Sequence, residues 1–348
     1  MNWQMLFLVL IVGSPLLDGD KLSKEENENR LKACGWNMQN KIYHSDKSRH
    51  HSMSPWSVHV RTERFDGQTG SCSGTLISSR HVLTATHCVA ELGPQMTMYI
   101  KIMMNGKTIE RKDCQGSDYI IDDPGLAAKV SVFHGQNIDG RTAPISRAKK
   151  IWLISACRKF ESSTVLSDMT LIELEMNFPA SSGLKMACVS ESMSHVAGGV
   201  VMDFYAYGTQ PDEGLNNSTS TNGLIQFQYE RIQVIQPRFV FRSPTPTSGR
   251  GSTEELIIAR SFDENTVACG GDSGGGATRQ IKGKTTVVGV ASQTSCHALI
   301  RGIGALEYYV PVASKTEKFC EFGGICSTSY NPRHLLIGVL LHVFLFHT

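Results

Sequence analysis

No stretch of this sequence is apolar for long enough to cross a bilayer as a helix, which takes ~20 consecutive residues. The two longest apolar runs, residues 5–12 and residues 335–346 (the second broken by His342), both fall short. A dense basic segment is also missing, and 34 Lys and Arg against 32 Asp and Glu leave a formal charge of +2. Without a basic stripe there is little to hold a nucleic acid. Long helical periodicity is scarce, which argues against an all-α chain, and no internal repeat suggests a solenoid. His44, His50 and His51 cluster in HSDKSRHHS. Because no carboxylate or cysteine spacing completes a metal site there, the trio reads as a solvated loop, and no metal or cofactor is expected.

What is present begins with ten cysteines, an even number, in a chain of 348 residues that is 41% hydrophobic. That length suits one large or two small domains. The even cysteine count suits an oxidising compartment with up to five disulfides. The first residues, MNWQMLFLVLIVGSPLLDGD, carry a short apolar run broken by Gly13, Ser14 and Pro15, as a signal peptide over 1–19 would. The chain ends RHLLIGVLLHVFLFHT, preceded by Gly323, Gly324, Ser327, Thr328 and Ser329. The tail over 321–348 therefore reads either as a lipid-anchor (GPI) attachment signal or as a plain apolar end. The expected location is extracellular, with the membrane involved only through such an anchor. Asn216 and Asn217 form two overlapping glycosylation sequons in NNSTS.

Residues 20–41 form a charged lead-in, KLSKEENENRLK, expected as a solvated helix or loop and closed by Cys34 and Gly35. From residue 54 to residue 296 the pattern changes to short apolar runs between turn residues: WSVHV, GTLIS, HVLTAT, MTLIEL, GVVMDFYAY and TTVVGVAS among them. Alternation and β-branching favour strands, and many short strands with turns predict a sandwich or barrel. The four methionines within 96–104 read as core filler. YYVPVASKTEKFC, residues 308–320, is expected to close the domain as a helix whose start Pro311 limits.

Two stretches carry chemistry. ACGGDSGGG, residues 268–276, places Asp272 and Ser273 between glycines. Glycine is costly to order, so the cluster implies either a flexible loop or backbone that must approach something closely. The N–H groups of Gly271 and Ser273 are placed to share one oxyanion, and a serine hydroxyl needs such donors together with a neighbouring base. CSGTLISSRHVLTATHC, residues 72–88, ends in His87 after an apolar run, which on its own fits a structural histidine as well as a base.

Together LTATHC, GDSGG and PWSVHV resemble the chymotrypsin/trypsin-like serine peptidases over about residues 42–320, and the lead-in KLSKEENENRLKACG looks like a divergent branch expanded in nematodes. The resemblance implies an all-β fold, two antiparallel six-stranded Greek-key β-barrels with a C-terminal helix and a cleft between them. It implies a triad of Ser273 as nucleophile, His87 as base and Asp168, in SDMTLIELE, orienting the histidine. Asp122 and Asp123 compete for that last role but precede a turn. Ser292 matches a serine that also hydrogen-bonds the aspartate.

Asp272 is implied to receive the new amino terminus made by a cut at Lys41–Ile42, although KIYHS departs from the family's Val-Gly-Gly after the isoleucine. Implied disulfides are Cys72–Cys88, Cys269–Cys296, Cys34–Cys188 and Cys114–Cys157, with Cys320 and Cys326 left over. Val267, six residues before Ser273, stands at the pocket floor, with Thr294 and Gly302 at its walls, which predicts cleavage after apolar or small residues. Protein or peptide substrates follow, with an activating protease and serpin- or Kunitz-type inhibitors as partners. The alternative is a weak or inactive homologue used as a binding protein, a reading favoured by KIYHS and by Gly276, where the family commonly has proline.

Overall fold

A computed structural model describes residues 21–35, 51–92, 100–157, 167–178, 183–208, 225–241, 254–262, 268–294 and 306–327. Twelve strands form two closed barrels. The first contains β1 (Ser57–Glu63), β2 (Thr69–Leu76), β3 (His81–Thr84), β4 (Val130–Phe133), β5 (Ser146–Leu153) and β6 (Thr170–Leu174). The second contains β7 (Val201–Gly208), β8 (Ile225–Phe241), β9 (Glu254–Ser261), β10 (Gly276–Ile281), β11 (Lys284–Thr294) and β12 (Glu307–Pro311). Antiparallel pairing runs round the first in the order β1-β2-β3-β6-β5-β4 and round the second in the order β7-β8-β9-β12-β11-β10. Numbered within each barrel, both read 1-2-3-6-5-4, a Greek key closed on itself so that neither barrel leaves an edge. Short added strands lie outside the rings: Tyr119–Ile121 on β5, Asn137–Ile138 on β8, and Cys188–Val189 parallel to β11.

The pleat of β7 shows how the barrels meet. Successive strand residues face opposite sides. Met202, Phe204 and Ala206 fill the second barrel, whereas Tyr205 and Tyr207 pack into the core of the first. Trp56 meets Tyr205 edge-to-face with ring centres 5.9 Å apart. A strand buried on both faces reads as a continuous apolar run, and FYAY is one. The two barrels therefore pack against each other through β7, and the site lies at their joint.

The lead-in forms α1 (Lys24–Ala33), started by a capping box in which Ser23 accepts from the Glu26 N–H and Glu26 accepts from the Ser23 N–H. It is docked instead of solvated. Buried Arg30 donates to Asn27 and, with Asn27, to the carbonyl of Cys326. Arg80 reaches Glu26 at 2.7 Å and the Lys21 carbonyl at 2.8 Å, and Lys284 caps the far end at the Leu31 carbonyl. Cys34–Cys188 ties the helix end to the body.

The chain closes in α2 (Thr316–Gly323), later than expected, because Tyr308, Tyr309 and Val310 complete β12 between β9 and β11. Aromatic and β-branched residues suit a strand with partners on both sides. Cys72–Cys88, Cys114–Cys157 and Cys320–Cys326 are also bonded. Cys269 is disulfide-bonded as well, while Cys296 lies outside the described residues. Of the methionine-rich stretch, Met103 and Met104 are described; they lie in the turn after the short strand Ile100–Ile102, and Met104 is fully buried. The segment 1–19 expected as a signal peptide, the glycosylation sequons at Asn216 and Asn217, His44, His50 and the apolar run 335–346 all lie outside the described residues.

Candidate active site

Strand register brings the first two site residues together. Thr84 on β3 pairs with Thr170 on β6. His87 lies three residues beyond Thr84, in the turn Thr86–Cys88, and Asp168 lies two residues before Thr170. Asp168 is almost fully buried and accepts three hydrogen bonds: from the His87 backbone N–H at 2.9 Å, from His87 Nδ1 at 2.7 Å and from Ser292 Oγ at 2.6 Å. Burial pushes its carboxyl up, but the His87 charge and these donors outweigh that and hold it below the usual range. For His87 burial works downward, and the Asp168 charge and hydrogen bond reverse it, so the imidazole sits above its ordinary value. With Nδ1 donating to Asp168, a neutral ring carries its lone pair on Nε2.

Ser273 comes from the second barrel. Its carbonyl accepts from the Ser73 N–H at 2.7 Å and lies 3.7 Å from Cys88 Sγ, beside the residue that follows His87. Strand β11 locks the loop to the aspartate: Ala291 exchanges backbone bonds with Gly274 and Gly275, and the next residue, Ser292, donates to Asp168. The glycines are there for close approach. A Cβ on Gly274, whose φ is +81°, would sit 2.2 Å from Thr84 Oγ1 and 2.4 Å from the Ser73 carbonyl. One on Gly276 would sit 2.1 Å from Thr75 Oγ1, so this chain has no room for the proline common in the family.

Asp272, beside Ser273, is buried against Gly208. Its Oδ2 accepts from the Cys269 N–H at 2.9 Å, and among the described residues Oδ1 has no hydrogen-bond partner. Burial raises its pKa to about 7, the Cys269 N–H pulls the other way, and the nearby Glu307 charge adds to the rise. Two further buried carboxylates face this region. Glu230 on β8 is pushed up by burial and by the Glu307 charge. Glu307 on β12 accepts from the Ala268 N–H at 2.9 Å and the Tyr309 O–H at 2.5 Å. Sequence reading passed over both, since each is a single acid outside any recognised motif. Ser73, between Cys72 and Gly74, was passed over as well.

Lys41, Ile42, Val267 and Gly302 lie outside the described residues, as does the side chain of Thr294. Asp122 and Asp123 are exposed, and Asp123 caps the short turn that follows it. Among the described residues the one group with metal-ligand proximity is Cys72, His87 and Cys88, whose two sulfurs are joined in a disulfide.

Twin six-stranded Greek-key barrels, with a half-buried histidine held on a buried aspartate and a glycine-framed serine loop at their joint, define a protein of the chymotrypsin/trypsin-like serine peptidase class. The model of the nematode trypsin-6-like family matches residues 3–326, and the chain belongs to that family. It is 25% identical to chymotrypsin-C of Bos taurus over 240 residues, covering 68% of this chain and 73% of that one. It is 23% identical to the trypsin-like protease try-5 of Caenorhabditis elegans over 265 residues, covering 72% and 76%. Among solved structures it is similar to HL collagenase, with a TM-score of 0.49 at 15% identity over 80% of this chain and 97% of that one.

Proposed function

We propose that the protein is a secreted serine endopeptidase acting through an acyl-enzyme. The observation that carries this reading is the buried Asp168 carboxylate held against His87 Nδ1 at 2.7 Å, with Ser292 as a further donor. In that arrangement His87 Nε2 takes the Ser273 proton as Oγ attacks the peptide carbonyl, then returns it to the leaving amine; water repeats the cycle to release the acid. Asp168 fixes the tautomer and stabilises the imidazolium. The N–H groups of Gly271 and Ser273 receive the oxyanion.

Maturation on this reading is a cut at Lys41–Ile42 by another protease, with the new ammonium pairing with Asp272 Oδ1. Val267 favours apolar or small residues before the cleaved bond. Protein substrates follow from the class, and serpin- or Kunitz-type inhibitors are the partners to test. A binding protein without activity is the second reading, favoured by KIYHS at residues 41–45.

The test is to label the matured protein with a fluorophosphonate and profile it on a peptide library, with Ser273→Ala as control. Labelling of wild type alone, with cleavage after apolar or small residues, is the expected result. An unlabelled wild type whose amino terminus is Ile42 overturns the enzyme reading.

A further inference from the structure

The residue that holds the nucleophile loop most directly is not one of the triad. Ser73 on β2 is fully buried where the first barrel meets both β7 and the loop. Its hydroxyl accepts from the Tyr207 N–H at 2.7 Å and has one proton to give. The Gly271 carbonyl at 2.9 Å is the closer acceptor, and the Tyr207 carbonyl lies farther off at 3.4 Å. The same residue's backbone N–H donates to the Ser273 carbonyl at 2.7 Å, and its own carbonyl is fixed by the Thr84 hydroxyl at 2.7 Å. Ser73 thus grips the loop at two carbonyls, one on each side of Asp272.

The first of those carbonyls matters because of the peptide it belongs to. The N–H groups proposed to hold the oxyanion belong to the Gly270–Gly271 and Asp272–Ser273 peptides. The Gly271–Asp272 peptide separates them, and its carbonyl is the one that the Ser73 hydroxyl holds. Gly271 has φ +96°, and the residue before it is also glycine, so little intrinsic strain keeps the Gly271 N–H aimed in one direction. Pinning the middle peptide removes that freedom. We propose that Ser73 is a positioning residue for the oxyanion hole, its hydroxyl transmitting the rigid barrel joint at Tyr207 to the donors at Gly271 and Ser273. This rests on the serine-peptidase reading above. A purely structural hydroxyl would serve the buried Tyr207 N–H equally well, and the experiment separates the two.

Wild type, Ser73→Ala and the isosteric pair Ser73→Thr and Ser73→Val are matured and their active sites counted with a fluorophosphonate; kcat, KM and peptide-boronate affinity are then measured per counted site. Removing an oxyanion donor outright costs about 100- to 1,000-fold in kcat, and loosening two donors is expected to cost about tenfold or more. The Ala and Val variants should lose that much kcat, and boronate affinity in proportion, with KM changed by less than about threefold, the pattern of an interaction made only in the transition state. The Thr variant should stay near wild type. If Ala destabilises the fold too far to mature, the Thr–Val comparison still isolates the hydroxyl. Equal kcat per site in Thr and Val, with only melting temperature altered, overturns the proposal. A wild type that takes no label at all sinks the enzyme reading itself, and this inference with it, before any variant is compared.

Discussion

Replacing Asp272 by asparagine in the uncut chain should stabilise it at alkaline pH and leave it unchanged in acid. The carboxyl is buried, has one hydrogen-bond donor and faces the Glu307 charge, and its pKa rises from 3.8 to about 7. A carboxyl whose folded pKa exceeds its unfolded value binds more protons folded than unfolded between the two. Stability is therefore full below pH 3.8, falls as pH rises, and levels off above about 7. Each unit is worth about 1.4 kcal/mol, so the whole penalty is on the order of 4 kcal/mol. Asparagine keeps an acceptor for the Cys269 N–H and carries no charge to desolvate.

The assay is thermal unfolding of Ser273→Ala protein, which cannot cut itself, with and without Asp272→Asn, from pH 4 to pH 8. The two curves should coincide near pH 4. They should separate steadily until the asparagine form melts roughly 10 °C higher at pH 8, taking about 2–4 °C per kcal/mol for a domain of this size. Glu230, raised in the same way, leaves a residual slope in both proteins. A separation that does not change with pH would refute the reasoning, because it would mean the carboxylate is already solvated or paired. After a cut at Lys41–Ile42 the sign should invert: an ammonium on Asp272 makes the carboxylate the favoured form, and asparagine then costs stability.

Asp168→Asn should lower kcat about 10,000-fold by favouring the wrong His87 tautomer. It should also move the acid limb of kcat/KM to lower pH, since the Asp168 charge is what lifts His87 above 6.5; steady-state kinetics across pH checks both. Gly276→Ala should destabilise by about 1–3 kcal/mol through overlap with Thr75 Oγ1, and Thr75→Ala in the same chain should recover most of it in a urea titration. After cleavage, a Cys34→Ser and Cys188→Ser double variant should still co-elute with its lead-in on gel filtration, because Arg30 and Asn27 keep α1 on the Cys326 carbonyl. Adding Arg30→Ala should release the segment.

Sequence reading found the parts whose signals are local. WSVHV alternates and HVLT is a short run rich in apolar residues, and they fall in β1 and β3. His87, Asp168 and Ser273 were singled out because each sits in a short distinctive stretch, and the structure joins the first two by a hydrogen bond. YYVPV was misjudged because what makes it a strand is β9 on one side and β11 on the other, and neither neighbour is local. The docking of α1 was invisible for a different reason: its buried residues are Asn27 and Arg30, so no apolar stripe announces the contact. Ser73 gains its meaning from the meeting of two barrels, and Glu230 and Glu307 from strands and loops of the second barrel that lie far apart in the chain, which no window of sequence contains.

The carboxylates at the joint bear on whether this chain is an enzyme or a retired one. Asp168 is buried with three donors, so its charge is stabilised in the uncut chain as it stands. Asp272 is buried with one donor and an oxygen that none of the described residues serves. An unpaired buried carboxylate is strongly unfavourable unless protonated. In a protein used only for binding, any apolar residue that fitted against Gly208 would relieve that cost. A chain that passes through two states has a use for the mismatch, since the cost falls on the uncut form and an arriving ammonium removes it. If the proposed cut at Lys41–Ile42 takes place, that energy would drive insertion and the ordering of the serine loop, so the unsatisfied Asp272 fits the enzyme reading better than the binding one.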